Sequence, residues 1–114
     1  MKKNKLVELC LNALNDAKAL DINVFDVHKL TSISDYMIIA SGRSNRQVSS
    51  IAEKVVEAAK QNDFQPLGVE GQKEGEWVLV DLGDVIVHVM HPETREYYQL
   101  EKLWNTDSQK AGNI

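Results

Sequence analysis

The sequence predicts a two-layer α+β domain (α/β in the broad sense), with a mixed, roughly five-stranded sheet covered on one face by two long helices. Three observations carry this. Apolar residues recur at helical spacing over residues 4–20 and again over residues 44–62. Five short runs rich in β-branched and aromatic residues lie between and after those segments. The 114 residues, with 43% hydrophobic and 26% charged side chains, suit one domain and leave no room for a second. Two helices of roughly four turns can cover only one face of such a sheet. The other face must be closed by something else or left as a binding surface.

The first helix is read from Leu6, Leu9, Cys10, Ala13, Leu14, Ala17 and Leu20, one stripe at steps of three and four, with Lys5, Glu8, Asn12, Asp16 and Lys18 off it. Ile22–Val27 and Tyr36–Ala40 read as strands, joined through a Ser/Thr-rich loop at Leu30–Asp35. Ser44 or Asn45 is placed to cap a second helix ending near Asn62, whose stripe is Val48, Ile51, Ala52, Val55, Val56 and Ala59. Phe64–Val69 contains Pro66, which removes a ladder donor, so this run is at most a short or edge strand. After a polar turn at Gly71–Gly75, the runs Glu76–Leu82 and Val85–Met90 are joined by Gly83-Asp84, a two-residue hairpin signal. Pro92 stands at a first-turn position, and Tyr97, Tyr98, Leu100, Leu103 and Trp104 suggest one or two short helical turns. Residues 105–114 are polar and expected to fray, which leaves 1–104 as the domain.

Composition excludes several classes of function. The lone Cys10 can make neither an internal disulfide nor a zinc knuckle, and it fits a reducing compartment. Met1-Lys2-Lys3-Asn4-Lys5 precedes apolar residues, as in a signal peptide, but Glu8 interrupts the run and no small-residue cleavage site follows, so a cytoplasmic protein is expected. The most apolar stretch, Trp77–Met90, contains Asp81 and Asp84 and is far short of the ~20 residues of a membrane span. A formal net charge of -4 provides no field for a nucleic-acid backbone and suits a basic protein partner.

Patterns that carry chemistry are sparse. Ser41-Gly42-Arg43-Ser44 lies between a strand and a helix, where backbone N–H groups often cradle a phosphate, but the further glycines or Gly-Lys-Ser/Thr of the full fingerprints are missing. The plain reading is a turn in which Ser44 caps and Gly42 supplies an unusual φ. The nucleotidyltransferase fold also opens on such a turn, yet its Asp-x-Asp metal pair is absent: Glu74 and Glu76 come about thirty residues later, and Asp81 and Asp84 flank a hairpin end. His28, His88 and His91 have no Cys, Asp or Glu at zinc-ligand spacing, and Cys10 belongs to an apolar stripe. No metal, cofactor or catalytic residue is therefore assigned. A nucleotide-binding or residual nucleotidyltransferase protein using Ser41–Ser44 is the alternative to a binding protein.

The hairpin is more informative. Alternation puts Trp77, Leu79 and Asp81 on one face of the first strand and Val78, Val80 and Leu82 on the other; in the second, Ile86, His88 and Met90 oppose Val85, Val87 and Val89. The Val/Leu faces suit packing under helices. The mixed face suits recognition, where aromatic and Met anchors are enriched. The competing reading is that Trp77 and Met90 pack on Tyr98, Leu100 and Trp104.

Ser34-Asp35-Tyr36-Met37-Ile38-Ile39-Ala40-Ser41-Gly42, Arg46-Gln47-Val48, Gly68-Val69-Glu70-Gly71, the whole run Trp77–Met90, and Tyr98-Gln99-Leu100-Glu101-Lys102-Leu103-Trp104 together resemble the ribosomal silencing factor family (RsfS, also called Iojap or YbeB-like) from about Lys5 to Trp104. The resemblance implies a nucleotidyltransferase-like fold without enzyme activity. It also implies binding to a basic protein on the intersubunit face of the large ribosomal subunit, which blocks joining of the small subunit and lowers translation when nutrients are scarce. Combined with the hairpin reading, this makes Trp77, Leu79, Asp81, His88, Met90, Tyr98 and Leu100 the expected interface. A homodimer closing the same face off the ribosome is compatible with it.

Overall fold

Leu6, Cys10, Ala13 and Leu14 share one face of a helix, and they are buried together with Val7 on α1 (Lys2–Asp16). The computed structural model describes residues 2–104, with side chains from Lys5 to Leu103; the tail at 105–114 and the side chain of Trp104 lie outside the described residues. The chain continues through β1 (Leu20–Asp26), β2 (Tyr36–Ser41), α2 (Asn45–Gln61), β3 (Gly68–Glu70), β4 (Trp77–Asp81), β5 (Val85–Met90), α3 (Pro92–Tyr98) and α4 (Glu101–Trp104).

α1 stops short of the apolar stripe that predicts it. Ala19 N–H donates to Leu14 O at 2.9 Å and Lys18 N–H to Asn15 O at 3.0 Å, the paired bonds of a Schellman cap, with Lys18 in the left-handed region at φ 66°. No glycine marks this cap, so the periodicity runs straight through it, and Leu20 opens β1 instead of closing the helix.

The five strands form one sheet in the order β1-β2-β5-β4-β3. β2 and β5 are parallel; the other three pairings are antiparallel, with a bulge in β1 between Leu20 and Asn23. α2, β3 and β4 supply the long connection that a parallel neighbour requires. Ile38, Ala40, Val78, Val80, Val85, Val87 and Val89 face the two long helices and make the main core with Leu14, Val48, Ile51 and Val55. The alternation of the hairpin therefore sorts its faces as the sequence predicts. β3 is a three-residue edge strand beyond Pro66. At the hairpin, Leu82 N–H donates to Val85 O at 2.9 Å, and Gly83 takes φ 88°, a conformation that a side chain would strain.

The Ser41–Ser44 turn corrects one expectation. Ser44 caps α2, accepting from Gln47 N–H at 3.1 Å, and the Gln47 amide oxygen in turn accepts from Arg43 N–H. Gly42 is not in the left-handed region. A Cβ there would sit 2.9 Å from Val48 N and 3.0 Å from Val48 Cγ2, so glycine is required by the close approach of the turn to α2.

Holding a lysine in the left-handed region costs about 1–2 kcal/mol, part of which glycine returns as unfolded-state entropy. Lys18→Gly is expected to raise stability by about 0.5–1 kcal/mol in a urea titration; an unchanged or lower midpoint would count against the cap.

Candidate functional site

The face of the sheet away from α1 and α2 is closed at its two ends. At the hairpin end Val27, Met37 and Ile86 form a small buried cluster, with Phe25 and Leu79 packed against it. At the other end α3 and α4 are tied down by Arg95, which reaches the Ser41 hydroxyl of β2. This alters the expected site. His88 and Met90 lie on the predicted face, yet they are only 5% and 0% exposed, because this face is covered over the central strand β5, at His88 by the Trp77 ring. Their side chains offer a partner almost no surface and instead support Trp77, their neighbour on β4.

Trp77 is half-buried and anchors a row of rings. Its indole N–H donates to His88 Nδ1 at 3.0 Å, and the two ring centroids are 5.9 Å apart. Tyr98 lies 5.0 Å from Trp77 at an interplanar angle of 50°, and Tyr97 meets Tyr98 edge-on at 4.9 Å and 84°. Both separations are in the range favoured by tilted aromatic pairs. Tyr98 is 56% exposed and Tyr97 81%, so the row climbs from the interior into solvent. Because Nδ1 accepts, His88 is neutral with its proton on Nε2; burial pushes its pKa down from 6.5 to about 4.

The remaining expected residues are spread out. Leu100 is half-buried in the corner between α3 and α4. Leu79 is half-buried at mid-strand. Asp81 stands at the far end of β4, roughly 13 Å from Trp77 at ~3.3 Å per residue, and its Oδ1 accepts from Gly83 N–H at 2.9 Å. Trp77, His88, Met90 and Tyr98 thus come together, Leu79 borders them, and Asp81 does not reach them.

The candidate chemistries find their groups engaged. The Ser41 hydroxyl accepts from Arg95, and the Arg43 and Gln47 N–H donors are taken up by the cap. Burial pushes the Cys10 thiol up to about 12, far from a reactive thiolate. His91 caps α3 through Nδ1, which accepts from Glu93 N–H at 3.2 Å. Among the described residues no group of three or more His, Cys, Asp or Glu is placed to hold a metal ion, and no helix is long and apolar enough to cross a membrane.

The family model described as "ribosomal silencing factor during starvation" matches residues 1–113. The chain belongs to the ribosomal silencing factor family. The silencing factor of Chromobacterium violaceum is 47% identical over 104 residues, which covers 91% of this chain and 85% of that one. That of Haemophilus influenzae is 46% identical over 99 residues, covering 87% and 97%. A crystal structure of a C. violaceum protein, also 47% identical, matches with a TM-score of 0.90 over 92% of this chain and 88% of the other. The family's name describes a regulatory role on the ribosome and no catalysis.

In this chain, sequence reasoning passes over two groups at the site. Tyr97 extends the ring row, and its adjacency to Tyr98 is the signal that marks it. Arg95 and Glu101, which join α3 to α4, carry no periodic signal, because the two short helices have too few turns to show one.

The buried histidine makes stability depend on pH. An unfolded chain takes up this proton near pH 6.5 and the folded one near pH 4, so stability is full above about pH 6.5 and falls as pH drops toward 4. The expected loss is on the order of 2–3 kcal/mol. His88→Gln keeps an acceptor for the indole without titrating. Its melting temperature should vary less between pH 7 and pH 4.5 than that of the parent; parallel curves would contradict a neutral buried His88.

Proposed function

We propose that this silencing factor binds the large ribosomal subunit through a basic protein on its intersubunit face and represses translation by occupying surface that the small subunit needs. The supporting observation is the ring row of Trp77, Tyr98 and Tyr97, which rises out of the only sheet face that α1 and α2 leave free, with half-buried Leu79 on the same face of β4. Partly buried aromatics ringed by apolar and polar neighbours are the usual anchors of protein interfaces.

On this reading Trp77, Leu79, Tyr98 and Leu100 touch the partner, His88 and Met90 hold Trp77 from beneath, and Asp81 contributes charge at the far end of β4. The net charge of -4 steers the domain to a basic surface, an attraction that weakens as salt rises. No covalent step is needed. A bound domain sequesters free large subunits by mass action, in proportion to its concentration over its Kd. The place of action is where free large subunits are found, the cytoplasm.

Sucrose-gradient sedimentation of purified subunits tests the whole reading. Saturating protein should shift associated ribosomes toward free subunits, and unchanged association would sink it. Trp77→Ala should weaken large-subunit binding about thirtyfold, equivalent to ~2 kcal/mol. Asp81→Lys should weaken it only a few-fold, and most at low salt. Both variants should still melt cooperatively. Trp77→Ala that binds like the parent would move the interface elsewhere.

A further inference from the structure

α3 carries Tyr97 and Tyr98, the corner after it carries Leu100, and among the described side chains of α3 and α4 no apolar one is fully buried. The single buried residue of α3 is Arg95, 9% exposed, and none of Glu101, Lys102 and Leu103 in α4 is fully buried. Arg95 Nη1–H donates to Ser41 Oγ at 2.9 Å, while Nε–H and Nη2–H fork onto the two Glu101 carboxylate oxygens at 3.2 and 2.7 Å. Asn23 of β1 donates to the same carboxylate at 3.2 Å. One guanidinium and one carboxylate thereby join α3, α4, β1 and β2. The corner between the helices is held by the same residue: Gln99, in the left-handed region at φ 50°, donates its N–H to Arg95 O at 2.9 Å. A cleft of about 320 Å³, lined by Asp21, Ser41, Pro92, Gln99 and Lys102, opens beside Arg95.

We infer that Arg95 and Glu101 are positioning residues of the docking surface: their forked pair fixes the α3–α4 corner so that Tyr98 stands beside Trp77. The inference rests on the proposed interface and adds to it residues that never touch the partner. Stability alone does not account for the pair, because the Glu101 side chain is 28% exposed and an ion pair open to solvent contributes little. What a forked Arg–carboxylate pair adds is a fixed mutual orientation of the elements that carry it. The hydrogen bonds from Arg95 hold the Glu101 carboxyl below the usual carboxylate range, so the pair remains ionised at neutral pH.

The test measures large-subunit binding by co-sedimentation, alongside thermal melting, for Glu101→Gln, Arg95→Met, Tyr98→Ala, Trp77→Ala and the double variant Glu101→Gln with Tyr98→Ala. Glu101→Gln should bind about tenfold more weakly while melting within about 5 °C of the parent. The double variant should bind within about twofold of Tyr98→Ala alone, because a clamp that acts through Tyr98 has nothing left to position once that ring is gone. Arg95→Met should bind as weakly as Glu101→Gln, and Arg95→Lys should not restore binding, since an ammonium cannot fork onto Glu101 while holding Ser41. If Arg95→Met does not fold, Glu101→Gln and the double variant decide. Normal binding by Glu101→Gln, or fully additive losses in the double variant, would overturn the inference while Trp77→Ala still loses binding; retained binding by Trp77→Ala would overturn the interface reading itself.

Discussion

Two helices cannot cover both faces of a five-stranded sheet, and the rest of this molecule follows from that shortfall. α1 and α2 pack on the face built from Val78, Val80, Val85, Val87 and Val89, and the core they close is apolar. The opposite face also carries large apolar side chains, including Ile39, Ile86 and Met90, which require cover of their own. The chain provides it piecemeal, with the β1–β2 end of the sheet sealing the cluster of Val27, Met37 and Ile86, and the C-terminal helices sealing the other end. What remains between and upon these pieces is the row from Trp77 to Tyr97.

The two layers are held by different physics. The helix-covered face is secured by area, with many small apolar contacts that tolerate minor rearrangement. The C-terminal cover is secured by direction, through Arg95, Glu101, Ser41 and Asn23, whose hydrogen bonds specify one geometry. A surface that must present rings at fixed positions is well served by the second kind of attachment. His88 works to the same end one strand away, since its neutral ring offers the indole an acceptor in a place where water has little access. On the proposed reading, burial of polar groups on this face serves orientation more than stability.

Much of this was legible in the sequence, for identifiable reasons. Helical periodicity in α2 and strict alternation in the hairpin are local patterns, and both elements and their inward faces follow from them. The resemblance blocks named the family, and the family model agrees over residues 1–113. Other features were illegible because their cause is not local. The end of α1 depends on a left-handed lysine where glycine is the usual marker. The parallel pairing of β2 with β5 is a contact between segments about fifty residues apart. The burial of His88 and Met90 follows from cover laid over that face of β5, the Trp77 ring among it, which is a tertiary contact with no local signal. Gly42 shows a subtler limit: the residue was legible as special, but its reason is the nearness of Val48.

The central claim is that the partner meets the face carrying Trp77 and Tyr98, and not the surface of the long helices. A photoreactive phenylalanine analogue placed at Tyr98, and in a second preparation at the exposed Glu53 of α2, tests it directly when each is irradiated with purified large subunits. Cross-linking from position 98 to one basic large-subunit protein, with none from position 53, is the predicted result. Cross-linking from position 53 with silence at 98 would contradict it.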